Sequence, residues 1–288
     1  MKLTLCGPEL FDRQAGTILR EREVEFSLML GILKQIRSDP MLYPGNNLMA
    51  TVREGKRLLV AALRTPPYKL LLYTSGAQPE ALQLLAQHLA RHDSTLPGVL
   101  ATDDVAEAWS ALWRRLTGAS SRVGMYMRLH VLNEVSDVSD VPGQARWLTE
   151  SDTPVLAGWV RAFHDEATPG SPPVDAEKLL ARRMGNDTLL VWHDGAPVSM
   201  AALVRPSGNA VCLNLVYTPL PLRRRGYATA LVAELSRQGL AHGYSRCTLF
   251  TDLANPISNS IYRKIGYKPV SDWKEIAFIT DSNKESQC

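Results

Sequence analysis

The chain has 288 residues, of which 45% are hydrophobic, 21% charged and 7% aromatic. Domains take about 100–200 residues, so this length predicts two, each large enough to bury its own core. The balance excludes a disordered chain, a collagen-like repeat and a small disulfide scaffold. Lys and Arg (32) against Asp and Glu (29) leave a net charge of only +3, a weaker basic bias than a dedicated nucleic-acid binder carries.

Four cysteines (Cys6, Cys212, Cys247 and Cys288) stand far apart with no CxxC pair. That spacing argues against a zinc cluster or disulfide framework and for reduced thiols in a cytosol. The N-terminal run is too short and too soon interrupted for a signal peptide. The apolar stretch Phe26–Ile36 falls short of the ~20 residues of a membrane span. The expectation is a cytoplasmic protein with neither membrane nor nucleic acid as partner.

In chain order, Phe11–Ile36 is helix-rich, Leu58–Arg64 and Lys69–Thr74 read as paired strands, and Glu80–Arg91 as a helix. Gly98–Ala101 reads as a strand, Val105–Leu116 as a helix and Val123–Leu132 as a strand. A polar segment then repeats Ser-Asp and ends in Pro-Gly at 133–143, the chemistry of a linker or long turn. The predicted domains are therefore residues 1–135 and 145–288, joined by a linker at 136–144. In the second half, Ala145–Thr149 is a strand signal. Asp152 or Thr153 caps a helix with Pro154 in its first turn and an apolar stripe of Val155, Leu156, Trp159, Val160 and Phe163. A second helix covers Asp175–Met184. Thr188–Trp192, a turn at Asp194-Gly195 and Val198–Val204 form a hairpin. Ala210–Thr218 is a longer apolar strand. A helix follows from Gly226 to Gly243, then a strand at Cys247–Thr251, a helix from Pro256 to about Ile265 and strand-like residues at Tyr267–Ile279. The result is a two-domain α/β protein with a sheet of mixed direction. The closing β-β-α-β-α-β order of the second half is echoed in the first, which therefore reads as a degenerate duplicate.

The most informative segment runs from Leu213 to Val232. An apolar strand enters a proline-punctuated loop, then come Arg223, Arg224 and Arg225, then Gly226-Tyr227-Ala228-Thr229 at a helix start. Such a start leaves backbone N–H groups unpaired and carries the positive end of the helix dipole. Basic side chains there are unfavourable without an anion, which favours an anion cradle over a solvated arginine cluster. Gly226 and Ala228 leave little side chain to keep a ligand away, and a pyrophosphate is the natural occupant. No GxxxxGK[ST] and no GxGxxG is present. In the second segment, Asn255 is a good N-cap, Pro256 fits the first helical position and Gly266 ends the helix. Helical spacing puts Asn255, Ser258, Asn259 and Tyr262 on one stripe, with Ile257, Ile261 and Ile265 on the opposite, core-facing side.

These two segments, Arg223-x-x-Gly226-x-Ala228 after a strand and Asn255…Tyr262…Gly266-Tyr267, resemble the Gcn5-related N-acetyltransferase (GNAT) family over roughly Ala145–Ile279. The resemblance implies a mostly antiparallel twisted sheet flanked by helices and acetyl-CoA as acyl donor, with no metal. It implies that the main chain of Val216 and Thr218 holds the pantetheine arm and that an N–H near Leu215 or Val216 polarises the thioester carbonyl. Amides from Arg224 to Thr229 would hold the pyrophosphate, in a motif opened by Arg223. Asn255 and Asn259 would lie on the cofactor side, and Tyr262 would protonate the departing thiolate. The acceptor would be an amine attacking without a covalent enzyme intermediate.

The strand Asn209–Val216 lacks the glutamate that some relatives use as base. His164, Asp165 and Glu166, at the end of the first helix of that half, are the remaining candidates. The absent carboxylate also leaves room for a catalytically silent CoA-binding regulator, which an amine screen with thiol detection separates from an enzyme. His88 and His92 have metal-pair spacing but no third ligand, so they read as a surface helix face. Cys212 and Cys247 read as inert core thiols. In the first half, the segment after Tyr73 lacks arginines, so that half is expected to lack a cofactor site.

Overall fold

The computed structural model describes residues 1–92, 96–138, 140–169 and 171–279. In chain order the elements are β1 (Lys2–Leu5), α1 (Pro8–Phe11), a π-helical turn (Asp12–Gly16), α2 (Thr17–Glu21), α3 (Ser27–Ser38), β2 (Leu48–Glu54), β3 (Arg57–Arg64), β4 (Leu70–Thr74), α4 (Pro79–His92), β5 (Gly98–Thr102), α5 (Asp103–Thr117) and β6 (Ser120–Leu132). They continue with β7 (Gln144–Trp147), α6 (Thr153–Ala167), α7 (Ala176–Met184), β8 (Leu189–His193), β9 (Pro197–Val204), β10 (Ala210–Tyr217), α8 (Tyr227–Ala241), β11 (Arg246–Asp252), α9 (Pro256–Ile265) and β12 (Lys268–Ile279).

Two compact units form, one from Met1–Arg128 with the described chain from Ser271 to Ile279, the other from Leu129–Val270. This division differs from the expected boundaries in two ways. The segment after Leu132 is packed into the second unit, because Val135 and Val138 punctuate its Ser-Asp repeats and cover part of that unit's core. Ser136 donates its N–H to the Ile265 carbonyl at 2.9 Å, and the Trp192 indole donates to the Pro142 carbonyl at 2.8 Å. Ser139 of this segment lies outside the described residues. The last strand belongs to the first unit, since β12 pairs antiparallel with β5 and contributes Ile276 and Phe278 to that unit's core.

In the first unit the sheet order is β1-β2-β3-β4-β5-β12. β1 and β2 were not expected from sequence. β1 has only four residues, and β2 (LMATVRE) mixes buried apolar, threonine and charged positions without clean alternation. Leu, Ala and Val side chains of β2–β5 meet α4 and α5, where Trp109 stacks on Trp113 at 6.0 Å and Trp113 on Phe278 at 5.8 Å. Each fully buried Leu or Phe contributes about 1.5–3 kcal/mol relative to exposure. Phe26 packs edge-on against Tyr73 and Trp273.

The second unit's sheet order is β11-β10-β9-β8-β7. Period-2 alternation sends successive residues of β9 to opposite faces. Ala201 and Leu203 meet Leu231 and Leu235 of α8, while Met200 and Ala202 meet Leu156 and Val160 of α6. In each unit one parallel pair is joined through a helix, β4-α4-β5 and β10-α8-β11, and the neighbouring pairs are antiparallel. The fold class is mixed α/β, a mostly antiparallel twisted sheet flanked by helices.

Candidate active site

β10 and β11 carry the site because they part company. Their registered partners are Ala210, Val211 and Cys212 with Arg246, Cys247 and Thr248. Beyond these, no registered pair joins them among the described residues, although β10 runs on to Tyr217 and β11 to Asp252. On its other side, β10 pairs with β9 as far as Asn214, then bulges before Tyr217 regains Met200. The bulge turns on Leu215 at φ +55°, a strained left-handed conformation for a branched residue. Its N–H donates to the Asn214 side-chain oxygen at 2.7 Å. Of the two candidate N–H groups for a thioester carbonyl, Leu215's is therefore already engaged, which leaves Val216's inside the bulge.

The strand ends on Tyr217 and Thr218, held from behind by the buried Ser199. The Ser199 hydroxyl lies 3.0 Å from the Tyr217 carbonyl and 2.9 Å from the Thr218 hydroxyl. Ser199 and Asn214 were missed from sequence. The only hint was a polar residue inside each apolar run.

After a short turn at Leu220–Leu222, Arg224 (φ +64°) and Gly226 (φ +87°) take left-handed conformations and α8 begins. No side chain caps this helix. Among the described residues, no acceptor takes the backbone N–H groups of Arg224, Arg225, Gly226, Tyr227, Ala228 or Thr229, whereas Ala230 bonds the Gly226 carbonyl at 3.0 Å. Left-handed residues beside a helix start make a nest of N–H groups suited to an anion. Gly226 itself serves differently from expectation. A Cβ there would stand 2.6 Å from Val141 Cγ1, so its bare Cα admits Val141, not a ligand.

The arginines separate in role. Arg224 and Arg225 are exposed, with Arg225 donating to the Pro221 carbonyl at 3.3 Å. Arg223 points elsewhere, to the Thr218 carbonyl (2.8 Å) and Glu166 (2.7 Å). Tyr227 is buried and its hydroxyl donates to Asp194 at 2.7 Å.

On α9, Asn255 caps the helix through Oδ1, which accepts the Ser258 N–H at 3.0 Å. Asn259 ties the helix to β11 by donating to the Asp252 carbonyl at 3.1 Å. The predicted faces are corrected. Ile257 is 58% exposed, whereas Tyr262 (8%) and Ile265 (0%) are buried beside half-buried Ser258 and Ile261. The helix thus packs through the 258, 261, 262, 265 stripe, and its first residues, 255–257, are exposed. Tyr262 lies edge-on to Tyr267 at 5.8 Å. Its hydroxyl makes no hydrogen bond to a described residue. Burial, with a smaller push from the Cys212 sulfur, raises its pKa well above that of an ordinary phenol.

The three base candidates are also placed. His164 binds the turn after α6, through Nε2 to the Ser171 carbonyl (3.3 Å) and Nδ1 to the Thr168 hydroxyl (3.2 Å). Asp165 is exposed, and Glu166 pairs with Arg223. Trp159, on the same helix, lies 6.2 Å from the Tyr217 ring.

Other candidates form no site. The rings of His88 and His92 on α4 lie 4.6 Å apart, tilted by 44°, and no group of three or more His, Cys, Asp or Glu among the described residues could hold a metal. Cys212 and Cys247 are buried and free, and burial pushes the Cys247 thiol up to about 12. Cys288 lies outside the described residues. No described helix is long and apolar enough to cross a membrane.

A parallel pair that parts beside a bulge, next to a helix whose first N–H groups have no acceptor among the described residues, forms a cleft suited to an extended ligand that ends in an anion. Residues 142–267 match the model of the Acetyltransferase (GNAT) family. Over nearly the whole chain the fold is similar to a solved Drosophila protein, at TM-score 0.71 and 15% identity, covering 96% of this chain and 98% of that one. It is also similar to a GCN5-related N-acetyltransferase from Sphaerobacter thermophilus, at 0.64 and 14%, covering 96% and 95%. A tandem GNAT protein from the clavulanic acid biosynthesis pathway matches at 0.56 and 14%, covering 96% and 98%. No curated protein matches significantly. The GNAT-like fold extends across both halves of the chain.

Proposed function

We propose that the protein transfers an acetyl group from acetyl-CoA to an amine, by direct attack on the thioester, at one site per chain in the second unit. The observation that carries this reading is the run of N–H groups from Arg224 to Thr229 without acceptors among the described residues, next to strands that separate after Cys212 and Thr248. The N–H groups suit the diphosphate. The gap suits the pantetheine arm, with Val216 and Thr218 lending main-chain groups from β10. Arg224 and Arg225 add positive charge, and Asn255 and Asn259 support the opposite lip as a cap and a strand tie.

In this mechanism acetyl-CoA supplies the activated acyl group. The Val216 N–H hydrogen-bonds the carbonyl oxygen as negative charge develops there. Tyr262 donates its O–H to the sulfur. Its raised pKa keeps the phenol protonated at neutral pH, so it stabilises charge on sulfur as the C–S bond breaks and the C–N bond forms. The amine loses its proton to water, because no strand carboxylate stands at β10. A thiol-release assay over a panel of primary amines tests the proposal. Release that depends on one class of amine is the expected result, and CoA binding without release from any amine would leave a silent CoA-binding regulator.

The first unit reads as a degenerate copy without a cofactor site. In α5, Trp109 stands seven residues after the N-cap Thr102, as Tyr262 stands seven after Asn255 in α9. Trp109 is fully buried, and the β4–α4 connection at 75–78 is short and lacks arginine.

A further inference from the structure

Arg223 opens the anion-loop motif, yet its side chain holds three things other than an anion. Its Nε donates to the Thr218 carbonyl at 2.8 Å, its Nη2 donates to Glu166 Oε2 at 2.7 Å, and its guanidinium lies over the Tyr217 ring at 5.6 Å. Tyr217 and Thr218 are already fixed from behind by Ser199. Glu166 sits in the last turn of α6, seven residues after Trp159 and so on the same face, and the Trp159 ring reaches Tyr217. One side chain therefore joins the end of β10, the start of the anion loop and the far end of α6. The next residue, Arg224, is locked at φ +64°, so whatever orders the loop backbone also fixes the point from which Arg223 projects.

We propose that Arg223 is a positioning residue that couples the anion loop to α6 through Glu166. Filling the N–H groups of Arg224–Thr229 tightens the last turn of α6, the helix that carries Trp159 and Phe163. The inference rests on the acetyl-CoA reading above, because the occupant assumed is the CoA diphosphate. Both partners are partly exposed (36% and 45%), so the coupling is modest, about two- to fivefold in affinity.

The test is hydrogen exchange on the full chain with CoA alone as probe, comparing wild type with Glu166→Ala and Glu166→Asp. Alanine suits an exposed position in the last turn of a helix, so the fold is kept. In the wild type, CoA should slow exchange over 224–230 and also over 160–167. In Glu166→Ala, protection over 224–230 should remain, protection over 160–167 should vanish, and exchange of 160–167 without CoA should match wild type. Glu166→Asp should restore part of the loss. Equal α6 protection in wild type and Glu166→Ala, or protection confined to 224–230 in wild type, would overturn the coupling. Absence of any CoA binding would instead overturn the acetyl-CoA reading.

Discussion

The side-chain oxygen of Asn214 takes the N–H of its own neighbour, Leu215, across 2.7 Å, and so holds a leucine in a left-handed bulge. Asn214→Ala leaves that N–H without its acceptor and should cost about 1 kcal/mol of stability. It should also lower turnover more than about tenfold, because a small displacement of the Val216 N–H spoils its aim. Asn214→Asp keeps the acceptor and should retain most of both. Thermal melts and steady-state rates measured on the same preparations check this.

Tyr262→Phe removes a hydroxyl that makes no hydrogen bond to a described residue, so it should cost little stability. Turnover should fall about a hundredfold, the scale of losing one donor to a developing charge. Calorimetric affinity for acetyl-CoA should stay within about twofold. Because burial raises the phenol's pKa, the wild-type rate should show no loss from tyrosine ionisation up to about pH 10. Undiminished turnover in the variant would remove Tyr262 from the reaction.

At Gly226 two terms oppose any side chain, the left-handed φ of +87° and the approach of Val141. Gly226→Ala should destabilise by more than about 1 kcal/mol, the usual penalty for a side chain in that conformation. Adding Val141→Ala in that background should recover only the steric part. A double-mutant cycle read by denaturant unfolding separates the two. CoA affinity should fall with Gly226→Ala, through displacement of the loop that follows Arg223.

Arg146 binds both oxygens of the buried Asp152, at 2.6 and 2.7 Å, and the N–H and hydroxyl of Thr149 add two more bonds. Burial pushes that carboxyl up, but these hydrogen bonds outweigh it and hold it at about 2, below its ordinary 3.8. A folded-state value lower than the unfolded one adds stability above pH ~4 and loses it as pH falls towards 2. The contribution is about 2 kcal/mol. Asp152→Asn should lower the melting temperature at pH 7 and flatten its fall between pH 4 and pH 2.

Calorimetry with CoA should give one site per chain. A stoichiometry of two would mean that the first unit also binds.

Much of this was legible in the sequence. The strand-loop-arginine-glycine-helix order around Gly226 and the Asn255 cap with its Gly266 stop are local features, and local backbone rules decide them. On α9, Ile261 and Ile265 pack inward as the helical wheel predicts, whereas Ile257 is exposed and Tyr262 is buried, because a helical wheel records spacing without recording where the neighbouring elements lie. The Ser-Asp segment read as a linker because its valines are few, and only their burial shows them docked on the second unit.

By itself, then, the sequence determined the element order of the second half, the glycine-led start of α8 and the resemblance of residues 142–267 to the GNAT family. All three follow from dihedral preferences, capping and motif spacing over short stretches of chain. The tertiary structure alone decided that Leu215 spends its N–H on Asn214, that Arg223 serves Glu166 and Thr218, and that Val141 fills the face of Gly226. Those pairings join residues up to 85 positions apart, and packing chooses such partners from many that are chemically equivalent on the page.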